Sequence, residues 1–120
     1  MLSSYAIHRL INKRRKQIYA PRLRWSFKLY RLAKENSRIM AKTGVMHHSS
    51  KSEYSECVCT GPLDMSSRDV FNLWVRNTEN REIIRNPYLV QAAASVSRNK
   101  KGVYITWICR ARANFGFKLD

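Results

Sequence analysis

The chain has 120 residues, 44% of them hydrophobic, and a formal net charge of +15 at pH 7. That length makes one domain, residues 1–120; the apolar content excludes global disorder, and no apolar run is long enough to cross a bilayer. The charge sits at the ends: residues 1–50 carry 12 Lys/Arg against Glu35, residues 98–120 carry six against Asp120, and residues 51–97 hold five basic and six acidic residues.

The first predicted element is a helix from about Ser4 to Ile18. Ile7, Leu10, Ile11 and Ile18 share one face, and Lys13, Arg15 and Lys16 are read as lying away from it. Pro21 stops this helix, and Leu23 and Trp25 lead into a second one from about Ser26 to Thr43. Ser26 can cap it, Leu29, Leu32, Ala33, Asn36 and Met40 trace its inner stripe, and Gly44 suits a left-handed C-terminal cap. Residues 47–55 read as a polar loop and Glu56 to Cys59 as a short strand. Ser66-Ser67-Arg68-Asp69 is a capping-box pattern opening a third helix, in which Val70, Phe71, Leu73 and Trp74 are expected to face inward. Asn86-Pro87 is a break in the chain's regular structure. Tyr88–Ser97 and Val103 to about Ala113 then read as the strands of a hairpin around an Arg98–Gly102 turn. Val103, Ile105, Trp107, Cys109 and Ala111 form one face of the last strand; Tyr104, Thr106, Ile108, Arg110 and Arg112 form the other. Ala92-Ala93-Ala94 implies close packing by a neighbour. The order predicts an α+β fold, a small antiparallel sheet sandwiched between helices.

Three cysteines, Cys57, Cys59 and Cys109, are too few and of the wrong parity for a disulfide framework, and Cys-x-Cys lacks the further ligands zinc needs. They are expected to be small buried hydrophobes. Glu56 beside Cys57 opposes thiol activation. Ser49 and Ser50 next to His48 have no recognisable orienting acid or oxyanion loop, and the four glycines are scattered rather than gathered in a phosphate-binding loop. The start has no basic segment followed by a long apolar one, so an intracellular rather than secreted protein is expected. Residues 1–34 hold ten Lys/Arg and no acid, as mitochondrial transit segments do, which makes an organellar address one expectation.

Several ordered spacings resemble the CAP superfamily (cysteine-rich secretory proteins, antigen 5 and pathogenesis-related 1), in its short, divergent form. Ile7 to Arg15 is similar to that family's opening Ile…Leu-x-Asn-x-x-Arg segment. Leu23-Arg24-Trp25, Leu29, Ala33, Ser37 and Met40-Ala41 follow its second-helix pattern. His48 sits at its first cavity histidine, Glu56 at the Glu of Gly-Glu-Asn, and Val70…Trp74 with Arg81…Ile84 at its Trp…Ser-x-x-His-Arg-x-x-Ile helix-turn. In the final hairpin Ala-Ala-Ser replaces Gly-Val-Gly, and Phe115-Gly116 is kept. The resemblance implies an α-β-α sandwich and a surface cavity in which two histidines and one or two carboxylates can hold a divalent metal. Here the second histidine position is Asn80, and the position of the family's serine is Asn77. An amide is a poor ligand for zinc or copper, so the cavity of His48, Glu56, Asn77 and Asn80 is expected to be degenerate, with no metal, no cofactor and no enzymatic activity. A residual metal-dependent hydrolase is the alternative.

The charge points to a polyanionic partner. Arg9, Lys13, Arg14, Arg15, Lys16, Arg22 and Arg24 form the densest basic run; Arg98, Lys100 and Lys101 at the hairpin tip, with Arg110 and Arg112, offer a second contact. Arginines can fork onto phosphates, and aromatics can stack on unpaired bases. Two basic surfaces suit a protein wedged among RNA and neighbouring proteins in a large ribonucleoprotein, such as an organellar ribosome. A protein- or lipid-surface module without a nucleic-acid role is the other reading. Trp25, Trp74 and Trp107 fall at apolar-periodic positions and read as core. Tyr19 and Tyr30 stay open between core and stacking.

Overall fold

The computed structural model describes residues 1–49 and 53–112. Ser50, the expected strand end at Ala113 and the Phe115-Gly116 pair lie outside them. The order is α1 (Ser4–Gln17), β1 (Arg24–Trp25), α2 (Phe27–Thr43), β2 (Ser55–Gly61), α3 (Ser67–Arg76), α4 (Thr78–Arg85), β3 (Leu89–Arg98) and β4 (Val103–Ala111). Among the described residues no helix is long and apolar enough to cross a membrane.

The helix ends follow local chemistry. Ser3, Ser26 and Ser66 cap α1, α2 and α3 through their side chains, and Asp69 completes the capping box by accepting from the Ser66 N–H. Gly44 ends α2 at φ 74°, its N–H bonded 2.8 Å to Met40 O. Asn77 both closes α3 and caps α4.

The four strands lie in the order β1-β3-β4-β2. β3 and β4 form the expected antiparallel hairpin, Ala94 opposite Trp107, and β2 pairs antiparallel with the far side of β4. Two departures from the sequence-based expectation concern edges. Arg24–Trp25 is a two-residue strand parallel to Gln91–Ala92, and β2 runs from Ser55 to Gly61 rather than stopping at Cys59. Pairing partners far along the chain created both, so no local pattern announced them.

Alternation on the strands builds two cores. Ile7 and Ile11 of α1, Val70, Phe71 and Trp74 of α3 and Ile84 of α4 pack on Cys57, Cys59, Ala92, Ala94, Val103, Ile105, Trp107 and Cys109. On the opposite face Leu29 and Ala33 of α2 pack on Ala93 and Ile108, and Met40 and Ala41 pack on Tyr104. The three alanines thus bring helices close on both sides. Leu73, expected inward, is 44% exposed, because α3 turns only its Val70–Phe71–Trp74 stripe to the sheet. A buried polar knot ties α2 to the hairpin: Asn36 Nδ2 donates to Thr106 Oγ1 and to His47 O at 3.1 Å each, and Ser37 Oγ lies 2.9 Å from Thr106 Oγ1 and 3.1 Å from Ser95 O. Each of these polar groups is satisfied, as burial requires.

Candidate functional site

Two regions carry the residues singled out from the sequence. The first is the cavity position at the β2 edge. Glu56 faces the α2 side, opposite Ile108, and is buried. Its Oε1 accepts the Ser49 N–H at 2.8 Å and lies 3.2 Å from His48 Nδ1, while Oε2 accepts the Ser49 hydroxyl. The His48 side chain is 60% exposed against 4% for Glu56. The carboxylate therefore works as a clasp on the chain leaving α2, its lone pairs occupied by internal donors. Asn77 accepts the Asn80 N–H at 2.9 Å in its capping role. The Asn80 carbonyl lies 4.0 Å from Cys57 Sγ. Among the described residues no hydrogen bond joins either asparagine to His48 or Glu56, and no three His, Cys, Asp or Glu side chains converge. One exposed imidazole and one engaged carboxylate do not fit a divalent metal.

Cys57, Cys59 and Cys109 are free and buried. Burial pushes the Cys59 thiol up to about 11. Cys57 is raised well above its ordinary value by burial first, then by Cys109, Glu56 and Glu79. Cys109 is raised by burial against a smaller opposing pull from Arg15. Protonated thiols in apolar surroundings are poor nucleophiles.

The second region is the basic surface, and here the structure sorts the cations. Arg15 is not a surface residue: it is 0% exposed. Its Nε donates to Pro21 O at 2.8 Å, and its Nη1 donates to Ile84 O at 2.9 Å and Asn86 O at 2.8 Å. Arg15 stands four residues after Ile11 and eight after Ile7, on the stripe that faces the core. Chain ends from the α1–β1 loop and from α4 present carbonyls there, and a guanidinium fork can satisfy several at once. Burial accordingly lowers its pKa. Arg14 is half-buried, its guanidinium carbon 5.2 Å from the Phe71 ring centroid. Arg110 is half-buried too, donating to Gln91 Oε1 across the hairpin and to Ala111 O. These two are engaged with the protein itself.

Arg9, Lys13, Lys16 and Arg22 instead line an open groove of about 720 Å³, together with His8, Asn12, Tyr19, Ala20 and Pro21. A smaller groove of about 210 Å³ shares Pro21 and Arg22 and adds Arg24, Leu89 and Arg112 among its walls. The two make one basic stripe from α1 to the end of β4, with no acidic residue in either lining. Arg112 reaches it because its N–H bonds to Tyr88 O, which extends the β3–β4 pairing beside β1. The groove floor is built by Asn12, whose Oδ1 accepts the Leu23 N–H at 2.8 Å and whose Nδ2 donates to Leu23 O and toward His8 Nε2. His8 is buried, and its pKa is lowered by burial and then by Arg22. Beside it the half-buried Trp25 stacks on Tyr5 at 4.3 Å, meets the His8 ring edge-on at 5.2 Å and lies 5.7 Å from Tyr30. Trp74 and Trp107 are core, as expected.

Arg98, Lys100 and Lys101 are exposed at the hairpin tip, the length of the hairpin away from Arg112, or about 30 Å at the rise of a strand. Arg98 joins Lys34, Arg38 and Lys42 around a third groove of about 580 Å³ between α2 and β3. Lys34, Arg38 and Lys42 were not singled out from the sequence. Their i, i+4, i+8 spacing, which places them on one helix face, was the available signal.

The family model described as the cysteine-rich secretory protein family, CAP, matches residues 8–110. No curated protein matches the chain by sequence. Among solved structures it is similar to an outer surface protein of Borrelia burgdorferi (TM-score 0.76, 13% identity, 90% of this chain and 92% of that one). It is also similar to an extracellular protein with an SCP domain from Bacillus anthracis (TM-score 0.67, 18% identity), covering 89% of this chain and 40% of that one. Venom allergen-like protein 4 of Schistosoma mansoni aligns at TM-score 0.62 and 13% identity, over 91% of this chain and 86% of that one. At such identities the likeness shows the fold.

Proposed function

This chain belongs to the cysteine-rich secretory protein (CAP) family, and from that premise we propose that it is a non-enzymatic binding module whose basic stripe docks a polyanion. RNA held as part of a large ribonucleoprotein is the partner we favour. One observation carries the reading: Arg9, Lys13, Lys16, Arg22, Arg24 and Arg112 border two adjoining grooves whose linings contain no acid. Cations gathered without counter-charges focus a field that attracts phosphates and exchanges their condensed counterions for protein contacts. The site is fitted to the phosphate backbone rather than to base edges, which makes recognition chiefly one of shape and charge. The protonated thiols and the internally engaged Glu56 support the non-enzymatic part. Turnover by the purified protein that disappears in Glu56→Ala and His48→Ala would refute that part.

The test is fluorescence anisotropy with a structured RNA across salt. Four to six phosphate contacts give a slope of log K against log salt of about −3 to −5, a loss of roughly 10²- to 10³-fold between 50 and 200 mM. A flat response overturns the proposal.

A second reading keeps the same surface and changes its address. Two of the similar structures are described as an outer surface protein and an extracellular protein, which favours an anionic cell-surface polymer or lipid layer as the ligand. Co-sedimentation with anionic vesicles after nuclease treatment, lost in Lys13→Ala/Lys16→Ala, separates it from the RNA reading.

A further inference from the structure

We infer that the basic groove takes an unpaired nucleotide strand, with Tyr19 as the residue on which a base stacks. This rests on the polyanion reading and specifies its ligand. Tyr19 has φ 62°, the positive-φ non-glycine among the described residues. It stands just past the C-terminus of α1, where the Tyr19 N–H bonds to Lys16 O and the Ala20 N–H returns to Arg15 O at 2.8 Å. At the equivalent end of α2 the left-handed residue is Gly44. Glycine is the residue that adopts this conformation without strain, because it has no Cβ. At the end of α1 a large aromatic occupies the strained position.

The backbone hydrogen bonds close the turn, but they do not involve the aromatic side chain. Tyr19 is 96% exposed, and among the described residues no hydrogen bond or ring contact holds its side chain. The left-handed turn instead places Tyr19 at the border of the 720 Å³ groove that Lys16, Lys13, Arg9 and Arg22 also line, with its ring open to solvent. Cations that follow a phosphate backbone, joined by a free aromatic face, are how single-stranded nucleic acid is bound without sequence preference. A duplex keeps its bases stacked inside and would leave the ring idle, so the arrangement favours unpaired nucleotides. The groove volume falls in the range of about 300–1,000 Å³ usual for small-ligand sites, enough for a nucleotide-sized piece of the strand.

The test compares a fluorescein-labelled 12-nucleotide oligouridine with an RNA duplex of the same length at one salt concentration. Tyr19→Gly is expected to weaken oligouridine binding by about 5- to 150-fold, the range of one lost base stack, and to leave duplex binding unchanged within twofold. Tyr19→Phe keeps the stacking face and is expected to bind as wild type. Thermal unfolding of Tyr19→Gly, with relief of the left-handed strain, should give a melting temperature equal to or above wild type, so a loss of affinity cannot come from misfolding. Equal losses on strand and duplex, or no loss on either, overturn the role of Tyr19. If Lys13→Ala/Lys16→Ala also binds both RNAs as wild type does, the polyanion reading itself has failed.

Discussion

Arg15 provides the sharpest separation of fold from function, because a basic run in the sequence concealed a structural cation. Replacing it with methionine keeps much of its volume and removes the guanidinium. Three hydrogen bonds go with it, to Pro21 O, Ile84 O and Asn86 O at 2.8–2.9 Å. Each bond from a charged donor is worth about 1.5–3 kcal/mol, and the carbonyls left behind stay partly desolvated without a donor. Removing the buried charge, one of whose nitrogens, Nη2, has no hydrogen-bond partner among the described residues, returns some of this. The net loss is about 3–5 kcal/mol, against a total stability of about 5–15 kcal/mol. At about 3–6 °C per kcal/mol for a chain of this size, the melting temperature should fall by roughly 10–30 °C. The assay pairs thermal unfolding by circular dichroism with RNA titrations at several salt concentrations, run well below the melting point. Arg15→Met should lower the melting temperature and leave the salt slope unchanged; Lys16→Ala should do the reverse, cutting the slope by about one. An unchanged melting temperature together with a reduced slope for Arg15→Met would show that Arg15 serves the ligand and not the core carbonyls.

Stability should fall as pH drops below about 6.5: His8 has a lowered pKa in the fold, so the unfolded chain takes up the proton first and the native state loses ground until its own lower pKa is passed. Urea unfolding at pH 7.5 and pH 5.5 measures this, and His8→Gln should flatten the difference. Gly44→Ala places a Cβ at φ 74°, where there is open space but the wrong backbone, and should cost about 1–2 kcal/mol in chemical unfolding. Thr106→Val leaves Asn36 Nδ2 and Ser37 Oγ without their shared partner inside the core and should destabilise by about 1–3 kcal/mol, read from the shift of the urea midpoint. Added Zn²⁺ or Co²⁺ at micromolar concentration should leave the melting temperature unmoved, because His48 and Glu56 alone make a poor ligand set; a rise that EDTA reverses would contradict the reading of the cavity.

The helices α1, α2 and α3, the strand β2 and the hairpin were legible because their determinants are local, whereas β1 and the separate helix α4 were not placed from the sequence. Ser26 and Gly44 bound α2, the Ser66–Asp69 box opens α3, and the alternation of Val103 to Ala111 sets two faces that the sheet keeps. The family spacing was legible for the same reason, since it records which positions of each element point inward. Arg9, Lys13, Lys16 and Arg22 could be named as surface cations from their helix and loop positions, and they meet in one groove. What a charge does once the chain is closed was not legible. Arg15 shares a run with Lys13 and Lys16, yet carbonyls from residues 21, 84 and 86 meet only at its position. Arg112 joins Arg22 and Arg24 because β1 pairs with β3, and Lys34, Arg38 and Lys42 gain Arg98 because α2 crosses the hairpin. Caps and periodicity depend on neighbours within a few residues, whereas the surroundings of a charge depend on which distant segments arrive beside it, and only the tertiary fold decides that.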